Sequence, residues 1–113
     1  MKPKTSLLAL HGNHVLPPLS TLRGQRRSRF IQDLSKDQIN CIAEVFSNFL
    51  KKNLTTDPQV IQRLKRYRQP IRSVALKRTS LKQKKKVLSS RKGGSILAVL
   101  APLAVSLLSK LLG

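Results

Sequence analysis

The amino-acid sequence predicts a mostly α-helical chain: short helices in series, a disordered N-terminal arm and an apolar C-terminal helix. Three observations carry this reading. Apolar residues recur at intervals of three and four from Ile39 onward, and no alternating stretch is long enough for a sheet. Proline and glycine punctuate the first thirty residues. The 113 residues carry 23 Lys and Arg against 4 Asp and Glu, a net charge of +19, whose mutual repulsion opposes compaction. Aromatic residues are scarce (Phe30, Phe46, Phe49, Tyr67), and much of the apolar content lies in one C-terminal block. The expectation is therefore short helices and tails rather than a globule, with one small domain at most.

Residues 1–30 read as a disordered basic arm. Pro3, Gly12, Pro17, Pro18 and Gly24 interrupt every regular pattern, and the arm ends in Arg23, Arg26, Arg27 and Arg29. The apolar stretch near the start, Leu7 to Leu10, falls short of the roughly 7–15 residues of a signal-peptide core. His11 and His14 have the spacing of two ligands on one helix face. No Cys or carboxylate stands near them, so they read as solvated side chains rather than a metal site.

Residues 31–92 form a helical, basic segment. Its best helix is 35–52. Ser35 supplies a hydroxyl N-cap, Asp37 lies in the first turn, and Lys51 and Lys52 lie in the last, each favourable to the helix dipole. Ile39, Ile42, Val45, Phe46, Phe49 and Leu50 form its apolar stripe. Cys41, the only cysteine, falls off the centre of that stripe and reads as a small filler. After a turn at Asn53–Thr56, Asp57-Pro58 reads as an N-cap followed by proline at the first helical position. Val60, Ile61, Leu64 and Tyr67 continue that helix to about Arg68. Pro70 begins another with Ile71, Val74 and Ala75, and Ser80 caps a last one from Leu81 to about Ser89.

Gly93-Gly94 reads as a joint before the tail at 95–113, where Lys110 is the only charge. The stretch from Ile96 to Ser109 would extend ~21 Å as a helix, short of a ~30 Å hydrocarbon core. Ser95, Pro102, Ser106 and Ser109 fall on one narrow side, a thin polar seam with a bend expected at Pro102. Packing on the rest of the chain, self-association and membrane contact all suit such a helix.

Four acids, two histidines and one cysteine offer little for acid–base or nucleophilic catalysis, so an enzyme is not expected and no cofactor is implied. The cations are different. All four acids lie between residues 33 and 57, and from Pro58 to Gly94 there are 13 basic residues and no acid. The candidate nucleic-acid-binding residues are Arg63, Lys65, Arg66, Arg68, Arg72, Lys77, Arg78, Lys82, Lys84, Lys85, Lys86, Arg91 and Lys92. Spread around several helices, they suit phosphate neutralisation rather than base-edge reading, which needs a few side chains aimed into one groove. With only Tyr67 in the run, base stacking is not expected to dominate. Lys82–Lys86 also has the form of a nuclear import signal, and a basic stretch beside an apolar helix suits anionic lipid. Self-association through 35–52 or 95–112 is a further expectation.

Leu64-Lys65-Arg66-Tyr67-Arg68, Ser80-Leu81-Lys82-Gln83-Lys84-Lys85-Lys86-Val87-Leu88 and Lys92-Gly93-Gly94 with its apolar tail resemble the short basic proteins of adenovirus-like Maverick or Polinton elements (adintoviruses). The layout is similar to that of the adenovirus core protein X family, the precursors of the mu peptide. The resemblance covers roughly residues 60–113. It implies a virion core protein acting in the host nucleus, with double-stranded DNA as the partner that it helps to condense. It also implies cleavage by a viral cysteine protease after Gly93-Gly94. Two departures stand out: Arg91 lies where that family prefers an apolar residue, and the segment is Lys-rich where mu is rich in Arg and His. The alternative expectation is a small cationic membrane-active protein that grips anionic lipid through the basic segment and inserts residues 95–112.

Overall fold

The computed structural model describes residues 7–51 and 57–112, and among them it holds seven α-helices and one 3-10 turn, with no strand. The helices are α1 (Leu7–Thr21), α2 (Gly24–Gln32), α3 (Lys36–Leu50), α4 (Pro58–Leu64), α5 (Arg68–Ala75), α6 (Leu81–Ser89) and α7 (Arg91–Leu112), with the 3-10 turn at Lys65–Tyr67. The predicted fold class holds: short helices and an apolar C-terminal helix.

The start of α3 follows the expected capping chemistry. Ser35 Oγ accepts from the Gln38 amide at 3.2 Å, and the Gln38 side chain returns to the Ser35 amide at 2.8 Å, a complete capping box. Asp57 accepts from the Gln59 amide at 2.9 Å with Pro58 in the first turn of α4. Ser80 accepts from the Gln83 amide at 3.1 Å to start α6. The helix expected to run to Arg68 stops at Leu64. Pro70 has no N–H for the Arg66 carbonyl, so the 3-10 turn intervenes and α5 begins at Arg68, with Pro70 still among the four amides that need no intrahelical partner.

The arm at 1–30 requires correction. Residues 1–6 lie outside the described residues, and from Leu7 onward the chain is helical. Pro17 and Pro18 sit inside α1, where they remove the donors for the Asn13 and His14 carbonyls; both of those residues are exposed to water. Tertiary burial outweighs that loss. Gly12, Val15, Leu16 and Leu19 form a buried stripe that packs α1 along α7 and α3. The end of α1 is tied by the Ser20 hydroxyl, which donates to the Pro17 carbonyl at 2.7 Å. Gly24, at φ 58°, then redirects the chain into α2.

The helices share one core. Ile39, Ile42, Val45, Phe46 and Phe49 of α3 meet Val15, Leu16 and Leu19 of α1, Ile71 and Val74 of α5, and Ile96, Leu97, Leu100, Ala104 and Leu108 of α7. The Cα radius of gyration is 13.1 Å, against ~13 Å for a compact domain of about 100 residues. The expectation of tails in place of a globule fails on this point, because the apolar block at the C-terminus supplies the core material that the basic segment lacks. On α7 the expected polar seam is the exposed side: Ser95, Ala98, Pro102, Ser106 and Ser109 face water. The Ala98 carbonyl that Pro102 leaves without a donor therefore belongs to an exposed residue.

Candidate nucleic-acid interface

The basic run is carried by α4, the 3-10 turn, α5, the connection from Leu76 to Ser80, α6 and the first turn of α7. Each helix turns apolar residues to the core, Leu64 from α4, Ile71 and Val74 from α5, and Leu88 from α6, and most of its cations outward. Arg63, Lys65, Arg66, Arg68, Arg72, Lys77, Arg78, Lys82, Lys86, Arg91 and Lys92 are exposed. Long cationic side chains in water meet phosphates with little desolvation, the arrangement that sequence-independent binding needs.

Two members of the predicted set are tied to neighbouring helices. Lys84 is only 4% exposed, and its ammonium donates to the Asn40 side-chain oxygen at 3.3 Å. Burial, and then the charge of Lys36, hold its pKa below the usual lysine value. Lys85 donates to the Gln32 carbonyl at 2.7 Å and so fastens α6 to the end of α2. In a run of lysines, the sequence carries no mark of which ones face a neighbouring helix.

The cluster at 23–29 divides in the same way. Arg23, Arg26 and Arg29 are exposed, and α2 packs on α6, so these cations lie beside the main run. Arg27 turns inward. Its guanidinium donates to the Ser90 carbonyl at 3.1 Å and to the Ser89 carbonyl at 3.4 Å, at the end of α6. Its Nε is enclosed without a hydrogen-bond partner, and burial pushes its pKa down. Ser28 and Gln32 add hydrogen bonds to Ser89, so α2 closes the C-terminus of α6.

The expected joint at Gly93-Gly94 is also corrected. Both glycines lie in the first turn of α7, and the break between helices is the single residue Ser90. The Ser90 hydroxyl donates to the Val87 carbonyl and accepts from the Gly93 amide at 3.1 Å, serving the end of one helix and the start of the next. A Cβ on Gly93 would run into the Val87 carbonyl oxygen and lie 2.7 Å from that of Leu88. A Cβ on Gly94 would collide with the Arg27 guanidinium. Close approach, rather than hinge freedom, explains this glycine pair.

No protein-family model, curated protein or solved structure matches this chain. The resemblance to adenovirus-like core proteins thus stands on its short motifs alone.

Of the remaining reactive groups, Cys41 is part of the core. Cys41 is fully buried, and burial with the nearby Glu44 charge pushes its thiol up to about 12, so it stays protonated and inert at neutral pH. His11 is half-buried and His14 exposed on α1. Among the described residues, no group of His, Cys, Asp and Glu is placed to hold a metal ion.

Proposed function

We propose that this chain is a sequence-independent nucleic-acid-binding protein that helps to condense double-stranded DNA. The observation that carries the reading is the set of eleven exposed cations between Arg63 and Lys92, presented by successive helices on one packed body with no acid in the run. Such a surface neutralises phosphates without selecting bases. The proposed role is binding rather than catalysis. Its proposed setting, the virion core of an adenovirus-like element and the host nucleus, follows from the resemblance of residues 60–113.

The membrane-active alternative receives less support. The segment Arg91–Ser109 has the length and apolarity of a spanning helix. Its Ile96, Leu97, Leu100 and Leu108, however, are buried against the other helices. Insertion into lipid would have to open the core that these side chains complete.

Binding of the full chain to two unrelated DNA duplexes over a salt series tests the proposal, with sedimentation on anionic liposomes in parallel. Equal affinity for both duplexes is expected, with log affinity falling against log salt by about 0.9 for each phosphate neutralised. Marked preference for one duplex, affinity indifferent to salt, or binding to liposomes without binding to DNA would each overturn it.

A further inference from the structure

The exposed cations are not evenly disposed around α7. Two adjoining depressions share Ser95 and Ala98 of that helix as a common border. One is flanked by Arg23 and Arg91, the other by Arg63 and Arg66. These four arginines come from three separate parts of the chain, and all are exposed. No acid lines either depression; Asp57 borders a neighbouring one, where its carboxylate accepts from the Gln59 amide.

Resting on the nucleic-acid reading above, we infer that one phosphodiester backbone crosses the N-terminal part of α7 here, over Ser95 and Ala98, held by Arg23 and Arg91 on one side and Arg63 and Arg66 on the other. Small side chains at the crossing let a backbone approach the helix surface, and the exposed Ser95 hydroxyl can donate to a phosphate oxygen. Arginine suits the task, because its planar guanidinium meets two phosphate oxygens at once. Tyr67, half-buried at the edge of the second depression, offers a ring and hydroxyl beside the strand. A lipid surface fits less well. Among the described residues the exposed large apolar side chains are Leu76 and Leu81, and neither borders these depressions. Binding therefore centres on arginines gathered by folding, and the lysine-rich stretch adds general attraction.

The test compares two full-length variants of equal net charge. Arg23→Gln/Arg63→Gln/Arg66→Gln removes three cations from the crossing, and Lys77→Gln/Lys82→Gln/Lys86→Gln removes three elsewhere. The arginine variant should weaken binding to a duplex at least about tenfold more, and should flatten the salt slope by about 2.7 where three phosphate contacts are lost. Ala98→Glu, at an exposed position and with a good helix former, should also weaken binding strongly while Ala98→Gln does not, with helix content unchanged by circular dichroism. Equal losses in the two triple variants, or no difference between Ala98→Glu and Ala98→Gln, would overturn this site and leave the proposed function standing. Absence of DNA binding by the unaltered chain would overturn both.

Discussion

At Gly93 and Gly94, helix propensity and packing make opposite demands. In an open helix, replacing glycine by alanine stabilises by about 1 kcal/mol. Here the new methyl at position 93 meets backbone carbonyls of Val87 and Leu88, which cannot move without shifting the end of α6. At position 94 it meets the end of the flexible Arg27 side chain, which can swing away and forfeit its bonds to Ser89 and Ser90. Gly93→Ala should therefore destabilise the chain by roughly 1–3 kcal/mol, the usual range for overpacking, and Gly94→Ala by less. Denaturant unfolding followed by circular dichroism measures both. A rise in stability for Gly93→Ala would mean that the close approach of α6 and α7 is wrong. This pair also marks the limit of residue-level reading. A double glycine between a basic and an apolar stretch has the sequence of a joint, and only the crossing of two helices reveals that the missing side chains make room. Lys84 and Arg27 pose the same difficulty, since nothing local separates a lysine facing Asn40 from its neighbours facing water.

Among the elements, α3 was the most legible from sequence. Its Ser35 cap and the stripe from Ile39 to Phe49 are local features, and the helix begins at Lys36 as they require; it ends at Leu50, so Lys51 is its C-cap and not part of the last turn, and Lys52 and the expected turn at 53–56 lie outside the described residues. The Asp57-Pro58 and Ser80 starts were legible for the same reason. α1 was not. The signals of Pro17 and Pro18 are local and disruptive, whereas the burial of Val15, Leu16 and Leu19 depends on partners more than twenty residues away. Because α3 lies against α1, α5, α6 and α7, its stripe is the structural centre of the chain. Phe46 is fully buried there. Phe46→Ala should lower stability by roughly 3–5 kcal/mol, the cost of deleting a large aromatic from a packed core. Thermal unfolding would then begin at a much lower temperature, or the helical signal would be lost outright. An unchanged melting curve would place the stripe outside the core. The buried stripe also leaves little apolar surface for self-association through 35–52.

For the whole molecule, the decisive question is whether its basic and apolar parts work separately. A net charge of +19 on 113 residues is a standing repulsion, and a small chain has limited apolar area to set against it. The sequence divides visibly at Gly94 into a cationic part and an apolar part, which suggests two independent pieces. The packing joins them. α7 places Ile96, Leu97, Leu100, Ala101, Ala104 and Leu108 in the core, and it runs along α1, the helix that also covers α3. A chain ending at Gly94 would lose all six buried side chains and leave the apolar faces of α1 and α3 open to water. At roughly 1.5–3 kcal/mol for each large aliphatic side chain buried, the four large ones alone account for about 6–12 kcal/mol, comparable to the whole 5–15 kcal/mol that holds an ordinary domain together. The truncated chain should therefore show no cooperative thermal transition by circular dichroism. The same truncation bears on the arginines around Ser95, because their arrangement depends on the fold. The shortened chain keeps every basic residue of the 63–92 run, so weak, salt-sensitive attraction to DNA should survive. What should disappear is the extra affinity lost in Arg23→Gln/Arg63→Gln/Arg66→Gln, since an unfolded chain no longer gathers those residues. If the truncated chain instead melted cooperatively and bound DNA as tightly as the full one, the apolar tail would be a separate piece and the shared core an error.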